Sequence, residues 1–126
     1  MNDLVNEWRD KAEGDFSTAL REFAVTDHPN YDAVCFHAQQ CVEKLMKAVL
    51  VSRGQDYPYT HDLVRLDELV RSAVPEWSWP LPDLRLLDRA SVGFRYPDES
   101  ADYEEADLAV RTATAVRNAL LQLLQK

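Results

Sequence analysis

Glycine is scarce in this chain: the three, Gly14, Gly54 and Gly93, lie far apart. A phosphate loop of the P-loop or dinucleotide kind needs clustered glycines so that the backbone can approach the phosphates, and both are therefore excluded. Cysteine is rarer still. Cys35 and Cys41 are the two, six apart in one helical pattern and on different faces, so they cannot bridge each other. Such a pair suits a reducing compartment, and a cytoplasmic location is expected. Long apolar runs are missing, Ala48-Val49-Leu50-Val51 being typical, and no basic start leads into an apolar core near Met1. Neither a membrane span nor a secretion signal is expected. Convincing strand-like alternation is missing as well.

Bases are outnumbered, with 14 Lys and Arg against 22 Asp and Glu, for a net charge of −8. The excess is local, because Asp98, Glu99, Asp102, Glu104, Glu105 and Asp107 crowd residues 98–107 without a base. The rest is close to balanced, which leaves room for a nucleotide or nucleic-acid contact elsewhere. With 126 residues, 46% hydrophobic and 29% charged, the composition fits one water-facing globular domain spanning residues 1–126.

What is present is helical periodicity. Leu4, Trp8, Ala12, Phe16, Leu20 and Phe23 recur every three or four residues and predict a helix from about Asp3 to Val25. Asp27-His28-Pro29-Asn30 breaks it, with Asn30 placed to cap a second helix that ends at Gly54. In that helix Val34, Ala38, Cys41, Leu45, Ala48 and Val49 are expected inward, and Gln39, Glu43 and Lys47 outward. A loop over 54–59 leads to Thr60 as the cap of a third helix, with Leu63, Leu66, Val70 and Val74 inward. Residues 75–82 (PEWSWPLP) predict a connector whose Trp77 and Trp79 are expected to stay partly uncovered by one small bundle. A short helix follows from Asp83 to Gly93, then a turn at Phe94-Arg95-Tyr96-Pro97. A last helix capped by Ser100 carries Ala106, Val110, Ala113, Leu120 and Leu124 inward. The expected fold is all-α, an up-and-down bundle of four to five helices.

Several groupings carry candidate chemistry beside a plainer reading. The acidic run resembles a carboxylate site, yet most of it falls in the first two turns of the last helix, where the helix dipole favours negative charge. His37 and Cys41 have ligand spacing but lack the further ligands a zinc site needs, so no metal is expected. His37, Gln40, Lys44 and Lys47 form a polar stripe on the second helix, either a solvated face or a place where Lys44 and Lys47 hold a phosphate. Thr60-His61-Asp62 crowds a hydroxyl, an imidazole and a carboxylate at one helix start, either as a capping turn or as part of a site. Arg95, held between Phe94 and Tyr96 by Pro97, offers a guanidinium suited to forked phosphate contact or to an ion pair with nearby acids.

Taken in order, Trp8, the stretch Ala38-Gln39-Gln40-x-x-Glu43-Lys44-x-x-Lys47-Ala48, Thr60-His61-Asp62-Leu63 and Arg95-Tyr96-Pro97 span nearly the whole chain. Together they resemble the HEPN family, named for nucleotide binding in higher eukaryotes and prokaryotes. The resemblance implies a four- or five-helix bundle that pairs as a homodimer and works beside a minimal nucleotidyltransferase, often as a toxin and antitoxin. It implies a nucleotide or RNA as ligand, with Arg95 and Tyr96 facing it and Lys44, Lys47 and His61 as further binding candidates, and no cofactor. The family's ribonucleases use an R-x(4–6)-H motif near the start of the last helix. Arg95 matches the arginine, but Ser100, Ala101 and Asp102 stand where the histidine belongs, so no catalytic residue is assigned. A literal match from Arg21 to His28 is of the kind that chance produces in a chain this long. A divergent metal-independent ribonuclease using His61 or His37, and a purely structural dimeric helper, are the alternatives.

Overall fold

The computed structural model describes residues 2–92 and 97–125; Arg95 and Tyr96 lie outside the described residues. It contains five helices: α1 (Asp3–Phe23), α2 (Tyr31–Ser52), α3 (Leu63–Ala73), α4 (Leu81–Val92) and α5 (Tyr103–Leu124). No strand occurs among the described residues, so the expected all-helical bundle is what forms.

α2 is the axis of the bundle and packs on all four other helices, most extensively on α1 and then on α5. Contacts between Asp15 and Lys44, and between Phe23 and Tyr31, set α1 antiparallel to α2. Phe23 stacks on Tyr103 at a centroid distance of 5.3 Å, and Asp32 accepts a 2.7 Å bond from the Ala101 amide, which brings the start of α5 beside the start of α2. Val34, Ala38, Cys41, Leu45, Ala48 and Val49 are buried, as are Leu63, Leu66, Val70 and Val74 of the third stripe.

The helix ends follow the cap chemistry, with shifts. Asn30 caps α2 by accepting from the Ala33 amide. Gly54, at φ 72°, closes it: Gly54 N–H donates to Val51 O and Gln55 N–H to Leu50 O, the paired bonds of a Schellman motif. Asp62, not Thr60, caps α3 by accepting from the Val64 and Arg65 amides, because the Thr60 hydroxyl is occupied by the Asp62 amide. Asp102, not Ser100, caps α5 in a reciprocal box with Glu105. α1 ends at Phe23 rather than Val25, and α4 begins at Leu81, since Pro82 is tolerated in a first turn.

The connector from α2 to α3 does not fold over as a tight hairpin. It runs back along α2, placing Tyr57 beside Lys47 and His61 beside Glu43, so that α3 starts near Gln39 and runs in the same direction as α2. Of the two connector tryptophans, Trp79 stays partly uncovered as expected and Trp77 does not. Trp77 is 6% exposed, stacks on Trp79 at 5.7 Å and donates its indole N–H to Asp67, while Trp79 donates to Asp83 at 3.0 Å.

The α1 stripe is corrected at both ends. Leu4 and Leu20 are 43% and 41% exposed, while Val5, Ala12 and Ala19 are buried. A spacing of four advances a residue about 40° past each full turn of 3.6 residues, so a run centred on Ala12 drifts off the core at its ends; the seven-residue spacing of Val5, Ala12 and Ala19 stays within about 20°. Leu45→Ala, at a fully buried position on α2, is expected to cost about 2–5 kcal/mol in urea unfolding, and Leu4→Ala less than about 0.5 kcal/mol.

Candidate functional site

The outward face expected for α2 is instead enclosed: Gln39, Glu43 and Lys47 are 1%, 2% and 5% exposed. The returning connector covers them on one side and α4 on another. Their polar atoms are satisfied by one another. Glu43 accepts from Lys47 Nζ at 3.1 Å through Oε2, and from His61 Nδ1 at 2.9 Å and Gln40 Nε2 at 3.3 Å through Oε1. Gln39 donates to the His61 carbonyl at 2.8 Å and to Asp88 at 3.2 Å, while its own oxygen accepts from Gln40. Lys47 lies 5.4 Å from the Trp8 ring centroid and 5.9 Å from that of Tyr57, two faces that stabilise a cation removed from water.

Lys47 is therefore a buried partner of Glu43 and no surface anchor for a phosphate. Lys44 is also taken, by Asp15 at 2.5 Å, and the same carboxylate receives His37 Nδ1 at 2.7 Å. The polar stripe is thus built of two ion-pair clusters rather than left as a solvated face. His61 differs, because its side chain is 82% exposed although Nδ1 is tied to Glu43. Of the literal Arg21 to His28 pair, Arg21 is bonded to Thr18 and His28 lies almost wholly in solvent beside Asp27.

His61 opens onto a cleft of about 550 Å³ between α2, the start of α3 and α4, whose wall includes Phe36, Gln40, Asp88, Arg89 and Val92. A second depression of about 400 Å³ shares Asp62, Asp88 and Arg89 with it and adds Arg85. The two acids are engaged: Asp62 caps α3, and Asp88 accepts from the Leu63 amide at 2.9 Å as well as from Gln39. Burial pushes the Asp88 carboxyl up to about 6, an effect the Leu63 and Gln39 bonds oppose and the Asp62 charge adds to. Arg85 and Arg89, one turn apart and exposed, are taken up by no carboxylate among the described residues. Phe36 and Val92, 43% and 46% exposed, leave apolar surface beside them.

The cysteines contribute nothing to this chemistry. Burial pushes both thiols up to about 12, with nearby carboxylates adding to the rise, so neither is a thiolate nucleophile at neutral pH. No cluster of three metal-ligating side chains occurs among the described residues.

Asp88 binds its proton more tightly in the folded chain than the usual 3.8, so the fold gains relative stability in acid and loses it as pH rises through about 6. In thermal melts across that window, Asp88→Asn is expected to gain on the parent chain as pH rises. Parallel curves for the two proteins would contradict this assignment.

A family model for the HEPN domain matches residues 5–123, from the first turn of α1 to the last of α5. Among solved structures, TT1696 from Thermus thermophilus superposes with a TM-score of 0.76 at 21% identity, covering 94% of this chain and 97% of that one. ST0689, described as an archaeal HEPN homologue, superposes with a TM-score of 0.65 at 23% identity over the same shares. No curated protein matches the sequence significantly. No helix among the described residues is long and apolar enough to cross a membrane. Identities this low speak for the fold alone, whereas the family match runs through all five helices: the chain belongs to the HEPN family.

Proposed function

We propose that this HEPN domain is a binding module for a nucleotide or RNA, seated in the cleft beside His61, and that it acts as a homodimer with a minimal nucleotidyltransferase as partner. The observation that carries the ligand reading is the division of charge in the cleft. Its carboxylates accept from backbone amides and Gln39, while Arg89 in its wall and Arg85 in the adjoining depression are taken up by no carboxylate among the described residues. Arginine's planar fork suits phosphate, and exposed apolar walls at Phe36 and Val92 suit a nucleobase. Arg95 and Tyr96 stay in the proposal through their place in the chain, three and four residues beyond Val92. The dimer, the nucleotidyltransferase and a toxin and antitoxin relationship rest on the family resemblance.

One observation favours a second reading, the divergent metal-independent ribonuclease. An imidazole held by a buried carboxylate, in the same cleft as an arginine, has the arrangement of an oriented general base. RNA cleavage in a chelator, lost in His61→Ala, would make the protein an enzyme.

The binding reading is tested by titrating a labelled nucleotide and a short RNA against the parent chain, Arg85→Ala, Arg89→Ala and Arg95→Lys. Each alanine variant is expected to weaken binding about tenfold, as loss of a charged hydrogen bond does, and affinity should fall as salt rises. Unchanged affinity in all three variants removes the site; no binding by the parent chain favours the structural helper. Light scattering of the purified chain is expected to give twice its 14.5 kDa. Co-expression with the genomic neighbour, followed by mass spectrometry of the complex, tests the partnership.

A further inference from the structure

The hydrogen bonds behind His61 determine which of its ring nitrogens carries the proton. Glu43 is 2% exposed, and its Oε2 receives the Lys47 ammonium at 3.1 Å. Paired with that cation, which Trp8 and Tyr57 enclose, the carboxylate offers acceptor oxygens and no donor. The 2.9 Å contact from His61 Nδ1 to Glu43 Oε1 is then a donation from Nδ1–H. In the neutral ring this leaves Nε2 with a lone pair, on a side chain 82% exposed and lining the cleft. The main-chain side is fixed as well, since Gln39 holds the His61 carbonyl at 2.8 Å. A ligand that meets His61 therefore meets an oriented acceptor, with cations at Arg85 and Arg89 and apolar surface at Phe36 and Val92 nearby.

A phosphate, a flat apolar ring and a hydroxyl donor occur together in a ribonucleotide; the deoxy form has the first two and lacks the 2′-hydroxyl. Resting on the binding reading above, we propose that His61 is the specificity-determining residue of the cleft: its Nε2 accepts a hydrogen bond from a ribose 2′-hydroxyl and so selects RNA over DNA. Glu43, with Lys47 behind it, is a positioning residue that fixes the tautomer and touches no ligand.

The test measures binding of labelled oligoadenylate and oligocytidylate, each as RNA and as DNA of equal length, to the parent chain and to His61→Phe, which keeps a flat ring at an exposed position and removes the acceptor. The parent chain is expected to prefer RNA about tenfold, the upper range for one hydrogen bond, and His61→Phe to close that gap. Nitrogen-15 spectra of the unliganded parent chain, followed to a pH at which the imidazole is neutral, are expected to show Nδ1 protonated and Nε2 bare; Glu43→Gln, checked for folding by its melt, should populate both tautomers and narrow the preference. Equal RNA and DNA affinity in the parent chain overturns the inference and leaves the binding reading standing. So does a His61→Phe loss that is the same for RNA and DNA, or an Nε2-protonated ring in the parent chain. Failure of the parent chain to bind either polymer or a mononucleotide removes the binding reading, and this inference with it. If Glu43→Gln does not fold, the His61→Phe ratios and the parent-chain spectrum decide the matter.

Discussion

A carboxylate buried in the middle of α2 organises one whole side of this bundle. Removing Glu43 from water is costly, and the cost is offset only because an ammonium, an imidazole N–H and an amide converge on its two oxygens. The donors come from separate parts of the chain: Lys47 and Gln40 from α2 itself, His61 from the connector. Lys47 in turn is faced by Trp8 of α1 and Tyr57 of the connector, whose rings meet edge to face at 5.3 Å. The backward course of residues 53–62 along α2 is thus held at Tyr57 and at His61 by contacts to one ion pair. α4 joins the same arrangement through Asp88, which binds Gln39 with one oxygen and the first amide of α3 with the other. The cleft sits where these elements meet, so its shape depends on the satisfaction of charges that are not themselves in it.

Much of the fold was legible because helical periodicity, caps and breakers agreed. Asn30, Gly54 and the stripes of α2, α3 and α5 stand where their patterns place them. The caps that moved did so by two residues, from Thr60 to Asp62 and from Ser100 to Asp102. In both pairs a hydroxyl and a carboxylate compete within one turn, and the carboxylate, carrying a full charge toward the helix dipole, takes the cap. Leu4 and Leu20 were misplaced for a geometric reason, the drift of a four-residue spacing, and not through any conflict of chemistry.

The candidate site was less legible, and α2 shows why. Reading one apolar face left Gln39, Glu43 and Lys47 for the solvent, yet Cys35, Val42, Met46 and Leu50 are apolar too and occupy other sides of the same helix. A helix apolar over most of its circumference is a central helix, and polar residues on it must be enclosed and paired. That signal was present in the sequence. Which groups do the pairing was not, because His61 to Glu43 and Asp88 to Gln39 are contacts between distant parts of the chain that no local pattern specifies. Arg85 and Arg89 were missed for a related reason: a single arginine pair on a short helix is indistinguishable from ordinary surface charge until the neighbouring acids are seen to be engaged elsewhere.

The same accounting of partners changes what the acidity of the chain means. A net charge of −8 argues against a ligand rich in phosphate only if the carboxylates and the ligand share one surface. Here Asp102 and Glu105 are bound into the cap of α5, and Asp107 pairs with Arg111 further along the same helix. Asp15 is occupied by His37 and Lys44, and Glu43 by Lys47 and His61. Salt screens exposed charges beyond about 8 Å under physiological conditions, so what a ligand meets in the cleft is set by its immediate lining. There Asp62 and Asp88 accept from backbone amides that need an acceptor, and Arg89, with Arg85 in the adjoining depression, is exposed. The local placement of charged groups, rather than the total charge, decides what a ligand meets beside His61 in this HEPN domain.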